Sequence, residues 1–377
     1  MDWIFILSFG FIAYTYLIYP GVVFFAGYAL GRGYIIPKEI AQKPKVAVII
    51  PAYNEASCIA KKIRNILDSS YPSGLLRVVV VSDGSDDGTA EQARLVSDAR
   101  VHVIALPQRQ GKVAAINAGA SLANESILVL TDAAEMFDAH AISYLAQNFA
   151  DPRVGAVSGE LKFIDLDTGF SRNLGLYWRY EKQIRIAESG IGSIIGVTGA
   201  IYAIRRECFR EVPADTILDD VAIPLEVIRQ GYRIRFDPRA CAYERATLDV
   251  AQELLRKRRT LAGNYQLIFR YFDLLAPFKS PIAVQFLSHK VFRLLVPYAL
   301  LSMLISSWFL AAPFNGIVLG GQLVFYGLAA AAFFLGRRIH LSIFALPYTF
   351  CMLNWAAVLG SYYYFTGMQT AKWEKVK

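Results

Sequence analysis

Residues 3 to 30, WIFILSFGFIAYTYLIYPGVVFFAGYAL, carry no charged side chain. Roughly 20 such residues cross a hydrocarbon core as a helix. The run is read as a spanning helix rather than a removable leader, because it is too long, has no basic flank before it and lacks a clear small-residue cleavage site. The whole chain cannot be membrane: of 377 residues 55% are hydrophobic and 19% charged, with a mean hydropathy of +0.36. That balance describes a mixed protein. Three further spans are expected at about 291 to 312, 316 to 336 and 341 to 366, with Arg337, Arg338 and His340 between the last two. The positive-inside rule then puts the large intervening segment and that basic turn in the cytoplasm, so the inner membrane is the expected location. The C-terminus, with Lys372, Lys375 and Lys377, is placed outside, against the same rule.

A net charge of +8 raises nucleic acid as a partner. The basic residues concentrate between Arg229 and Arg259 and at Lys290 and Arg293, just ahead of the second span. Anionic headgroups, pyrophosphate or both account for that placement, so membrane lipids are expected partners and nucleic acid is not. Cys58, Cys208, Cys241 and Cys351 show no CxxC spacing and are read as reduced thiols. The four histidines are scattered and suggest no metal site or triad.

Between the first two spans the pattern alternates. Val46 to Ile50, Arg77 to Ser82, Val101 to Ala105 and Ile127 to Leu130 are apolar runs of strand length. A helix with Ile59, Ile63, Ile66 and Leu67 on one face, and Lys61, Lys62 and Arg64 off it, follows the first. Strands alternating with amphipathic helices predict an α/β fold, a parallel sheet covered on both faces. Ligands of such sheets bind at the C-terminal strand edge. The run at 126 to 134, SILVLTDAA, delivers Thr131 and Asp132 to that edge.

Two common phosphate-binding signatures are missing. No GxGxxG follows the first strand, and around Gly111 and Lys112 the Walker positions hold Leu106 and Val113. What stands at the strand ends instead is Glu55, Asp83, Lys112 and Asp132. Asp83 before Gly84 and Ser85 is also a common turn or helix cap. Together, carboxylates serve a base, a ribose or a divalent cation, and a lysine serves a phosphate.

PAYNE (51 to 55), VSDGSDDGT (81 to 89), QGKVAAINAG (110 to 119) and LTDAA (130 to 134) resemble the successive blocks of family 2 glycosyltransferases, which have a GT-A fold. The resemblance continues through GAVSGEL (155 to 161), GVTGAIYAIRRECF (196 to 209), ILDDVAIPLEVIRQGYRIRFDPRACAYE (217 to 244) and LLRKRRTLAGNYQ (254 to 266). The membrane-bound, exopolysaccharide-making branch shares the flanking spans and a stretch like SHKVFRLLVP at 288 to 297. The resemblance implies a GT-A Rossmann-like domain with a mixed sheet, plus interfacial helices and about four transmembrane helices. Its expected limits are 1–44 for the first span and linker, 45–250 for the catalytic domain, 251–285 for amphipathic interfacial helices and 286–377 for the remaining spans.

By the same resemblance Pro51, Tyr53, Glu55 and Asp83 line a uridine pocket and Lys112 stands near the base or diphosphate. Asp132 holds Mg or Mn. The family's second metal acid falls at Ala134, so either Asp132 suffices with the diphosphate or Glu135 contributes. In Leu218, Asp219 and Asp220 the second acid is the general base of an inverting displacement, since a sugar hydroxyl needs a placed carboxylate to take its proton. The alternative for that pair is a cap on the helix carrying Val221, Leu225, Val227 and Ile228. Gly199 approaches the acceptor, and Asp219 lies on the acceptor or diphosphate side. LLRKRRT (254 to 260) takes the place of the family's QxxRW segment, with Arg259 matched, Arg256 for glutamine and Thr260 for tryptophan. Arg256 and Arg259 suit a diphosphate, or an interfacial helix on anionic lipid.

The implied reaction moves a sugar from a UDP-sugar to a lipid-linked or glycan acceptor in envelope polysaccharide synthesis, with other polysaccharide-assembly proteins as candidate partners. A processive synthase that also secretes its polymer is one alternative, weakened by the absent tryptophan. An inactive nucleotide-sugar-binding membrane protein, suggested by Ala134, is the other.

Overall fold

The four apolar runs form adjacent strands. The computed structural model describes residues 2–29, 42–164, 169–245, 250–276, 280–335 and 342–371. Two compact units partition the chain. One comprises Tyr34–Ile164, Gly192–Ala246 and Thr370–Lys377; the other comprises Met1–Gly33, Asp165–Ile191 and Thr247–Gln369.

The first unit is built on eight strands: β1 Val46–Ala52, β2 Leu76–Asp83, β3 Val101–Leu106, β4 Ile127–Leu130, β5 Met136–Phe137, β6 Val154–Ile164, β7 Tyr202–Arg205 and β8 Arg233–Arg245. Their order is β3-β2-β1-β4-β7-β6-β8-β5. The β3-β2-β1-β4 half is parallel, β7 runs antiparallel to both β4 and β6, and β6 and β8 are parallel to each other. Every residue of β1 and β4 is buried, as strands covered on both faces require.

Helix Lys112–Leu122 lies against this half through Gly119. A Cβ built there would stand 2.6 Å from Ile49 Cγ2 and 3.2 Å from Val81 Cγ2, so only glycine lets the helix backbone come this close. On the other face Ile59, Ile63 and Ile66 of helix Ile59–Leu67 join Val48, Ile50, Val78 and Val80 in the main core.

The second unit is helical. Its segments Asp2–Ala29, Ala283–Ser307 and Phe314–Phe334 are each long and apolar enough to cross a membrane. The first and second contain π turns, at Tyr14–Ile18 and Phe286–Val291, and the second begins eight residues earlier than its sequence pattern suggests. The fourth expected span coincides with a 24-residue helix, Ser342–Phe365.

The amphipathic stretch is one helix, Val250–Arg270, and a short 3-10 turn, Phe272–Leu275. It stops at Tyr271, ahead of both Pro277, which is outside the described residues, and Pro281. Also outside them are Arg337, Arg338, His340, the terminal lysines and the side chains of Tyr177 and Trp178.

A buried polar cluster ties three helices of this unit. His289 Nδ1 lies 3.0 Å from Glu188 and Nε2 2.8 Å from Glu181; Arg293 donates to Glu181 at 2.6 Å, and Tyr19 donates to Glu188. Two acids and two bases satisfy one another, which is what makes such burial tolerable.

Candidate active site

The site is assembled from the C-terminal ends of β1, β2 and β4, where the strand order reverses between β1 and β4. Pro51, Tyr53, Glu55, Asp83, Lys112 and Asp132 line one cleft there, together with Arg109 and the segment Ala133 to Glu135.

The loops after β1 and β2 are knitted by side chains of the DGSDDGT motif. Asn54 accepts from Asp86 N–H, Ser85 accepts from Asn54 N–H, and Asp87 accepts from Ala56 N–H and Thr89 N–H. Thr89 in turn accepts from Glu55 N–H at 2.8 Å. Burial pushes the Asp87 carboxyl up, but hydrogen bonds from Thr89, Ala56 and its own backbone together outweigh that and hold it below the usual range.

Asp83 does something else. Its two oxygens accept from Gln110 N–H and Gly111 N–H, both at 2.7 Å, and it is buried. The carboxylate therefore draws the QGK loop onto the end of β2. Gly84, at φ 62°, makes room: a Cβ there would meet Arg109 N at 2.4 Å. With the loop so placed, the Arg109 guanidinium lies 4.0 Å from the centre of the Tyr53 ring. Arg109 carried no signal in the sequence beyond its neighbourhood to the QGK block.

Lys112 opens its helix and points into the cleft. Its Nζ lies 2.7 Å from Asp132 Oδ1 and 3.3 Å from Asp219 Oδ2. Burial alone would lower its pKa, but Asp132, Asp219 and Asp220 outweigh that and raise it. The lysine stays an ammonium.

Asp219 and Asp220 begin helix Asp219–Arg229, where the helix dipole favours negative charge. Gly199 packs against Asp220 and Lys112: a Cβ on it would lie 3.6 Å from Asp220 Oδ2 and 3.7 Å from Lys112 Nζ. Val197 N–H donates to Asp220 O at 2.9 Å, so the 196–199 loop is fastened to this helix start. Tyr202, buried on β7, has a hydroxyl without a hydrogen-bond partner. Burial and the charges of Asp219, Asp220 and Asp132 push its pKa well up, so it stays a phenol.

Behind the cleft sits Lys62, fully buried. It donates to Thr131 Oγ1 at 2.9 Å and to the backbone carbonyl of Glu135, and its ammonium lies 3.9 Å from the Phe137 ring centre. Burial lowers its pKa to about 7. Thr131 passes the contact on by donating to Ala200 O at 2.7 Å, joining the turn after β4 to the 196–200 loop. Helix periodicity placed Lys62 off the apolar face; the structure turns it inward because the turn after β4 offers it acceptors.

Arg256 and Arg259 belong to helix Val250–Arg270 in the helical unit. Neighbouring Arg258 stacks 4.0 Å from the Tyr363 ring centre. Among the described residues no group of three or more His, Cys, Asp or Glu is arranged to hold a metal.

An open α/β sheet with acids and one lysine gathered at its switch point defines a nucleotide-binding fold. Residues 47–212 match Glycosyl transferase family 2 and carry a domain of that family on the GT-A fold. The chain is 26% identical over 261 residues to the probable glycosyltransferase YdaM of Bacillus subtilis, across 63% of this chain and 60% of that protein. It is 23% identical over 233 residues to poly-beta-1,6-N-acetyl-D-glucosamine synthase of Staphylococcus aureus, across 60% and 56%. The chain thus spans less than two thirds of the length of these relatives. The structure of a mannosyltransferase from Pyrobaculum calidifontis, in complex with GDP-Man and Mn2+, superposes with a TM-score of 0.72 at 21% identity, covering 96% of this chain and 99% of that one.

Proposed function

We propose that the protein is a membrane-embedded inverting glycosyltransferase that moves a hexosyl or N-acetylhexosaminyl group from a UDP-sugar to a lipid-linked or glycan acceptor in exopolysaccharide or envelope synthesis. The observation that carries this reading is the grip of Lys112 on Asp132 and Asp219 at the mouth of the nucleotide cleft. One cation there joins the acid that would face the donor's diphosphate to the acid pair that would face the acceptor.

In this reading Tyr53 and Arg109 hold the nucleoside, with Pro51 and Glu55 walling the pocket. Asp83 positions the QGK loop and meets the base. Lys112, a permanent ammonium, stabilises the charge that develops on the departing diphosphate. Asp220 takes the acceptor hydroxyl's proton as that oxygen bonds to the anomeric carbon and the bond to the UDP oxygen breaks, so configuration inverts in one displacement. Asp219 stays ion-paired and holds Lys112 in place. Gly199, lacking a side chain, leaves space beside Asp220 for the acceptor. Arg256 and Arg259 serve the diphosphate or the anionic membrane surface.

Asp132 has a side chain about one quarter exposed to the cleft and fits a hard divalent cation, Mg or Mn. Such an ion, when bound, neutralises diphosphate charge as the sugar leaves. Three spanning-type helices support insertion in the inner membrane, with the catalytic unit on the cytoplasmic side.

The test is nucleotide release by detergent-solubilised wild type and Asp220→Asn across UDP- and GDP-sugars, with and without Mg or Mn. Release from one donor, absent in the variant while donor binding persists, is expected. Wild-type turnover in Asp220→Asn removes the base assignment, and retention of configuration in the product removes the single displacement. Product length with excess donor separates single addition from processive synthesis.

A further inference from the structure

We propose that Glu135 supplies the second protein carboxylate for the divalent cation, in place of the acid absent from position 134. The inference rests on the glycosyltransferase reading above and concerns a residue that the family pattern does not assign.

Glu135 is 8% exposed, yet it lines the same cleft as Asp132. Its Oε2 is buried and has no hydrogen-bond partner. A carboxylate taken out of water demands a compensating donor or cation. Lys62, whose positive charge favours the carboxylate, hydrogen-bonds Glu135 only at its backbone carbonyl and Thr131 at its hydroxyl, and leaves Oε2 without a donor. The remaining charged groups whose fields reach Glu135 are the acids Asp132 and Glu244, which make the deficit worse.

The turn from Thr131 to Glu135 is held at both ends by the same buried ammonium, so the two carboxylates leave one fixed turn into one cleft. Ala134 between them is exposed and brings only a methyl group. Mg2+ is commonly bound by one or two carboxylates plus substrate phosphates and water. Asp132, Glu135 and a donor diphosphate match that set, which also explains why no three-residue protein cluster is found among the described residues.

The experiment is Mn2+ titration by electron paramagnetic resonance on the detergent-solubilised full chain, with UDP or GDP present, for wild type, Asp132→Asn, Glu135→Gln and Glu135→Gln combined with Ala134→Asp. Nucleotide-dependent Mn2+ binding is expected in wild type. Glu135→Gln is expected to weaken it at least tenfold, Asp132→Asn to abolish it, and Ala134→Asp to restore most of what Glu135→Gln loses. Glu135→Asp, a smaller change, is expected to fall between and serves if Glu135→Gln does not fold. Binding within twofold of wild type in both Glu135 variants, with Asp132→Asn still defective, overturns the role of Glu135 and leaves the proposed function standing. Wild type that takes up no Mn2+ with either nucleotide overturns the metal-assisted reading itself.

Discussion

Replacing Lys112 by methionine keeps the length of the side chain and removes the charge that three acids share. At an effective dielectric of about 20, contacts of 2.7 and 3.3 Å correspond to roughly 5 to 6 kcal/mol each before desolvation is subtracted. The ammonium and Asp219 are both largely withdrawn from water, and removing one member of such a buried pair costs about 3 to 5 kcal/mol. Asp132 is partly wet and recovers some hydration, so a net loss of about 2 to 3 kcal/mol is expected. For a domain of this size that is a fall of about 5 to 10 °C in melting temperature. The sign with pH follows from the raised pKa of Lys112. Its contribution is whole below the unfolded lysine value and fades only as pH rises through the higher folded one, so the deficit should be flat from pH 6 to 9. Thermal unfolding of the detergent-solubilised variant, followed by tryptophan fluorescence at pH 6, 7.5 and 9, measures it. A variant melting within 1 °C of wild type, or a deficit that disappears by pH 9, would falsify the account of Lys112 as the charge holding the acids together.

Three other outcomes are expected. Asp83→Asn places an amide where two backbone N–H groups need acceptors, costing about 1 to 3 kcal/mol and weakening nucleotide binding in calorimetry; unchanged affinity would separate the loop from the pocket. Gly119→Val drives side-chain atoms into Ile49 and Val81 and should destabilise by at least about 1 to 3 kcal/mol in a denaturant titration, whereas a neutral result would contradict the close approach. Lys62 has a folded pKa of about 7, lowered by burial, so its unfolded form binds the extra proton between about pH 7 and 10.5 and wild-type stability gains with pH there. The melting temperature of wild type relative to Lys62→Met should therefore rise from pH 7 to 9, and a constant difference would refute the shift.

The parallel half of the sheet, the strand-end acids and the membrane character were legible in the sequence because each is written locally. Fully buried strands read as unbroken apolar runs, a spanning helix reads as an uncharged stretch, and turn chemistry marks where strands stop. The blocks around Glu55, Asp83, Lys112 and Asp132 could be ordered along one edge from the alternation of strands and helices alone. What stayed hidden were the partnerships. Asp83 looked like a cap for its own loop and instead holds Gln110 and Gly111. Lys62 looked like a solvated helix charge and is the buried anchor of the turn after β4. Lys112 joins acids from two distant segments. Tyr202, Arg109 and the orphaned oxygen of Glu135 acquire meaning only beside their neighbours. Local pattern determines which face of an element is apolar. The charge a buried group meets depends on what the fold brings within a few ångströms of it, and that only the tertiary structure decided.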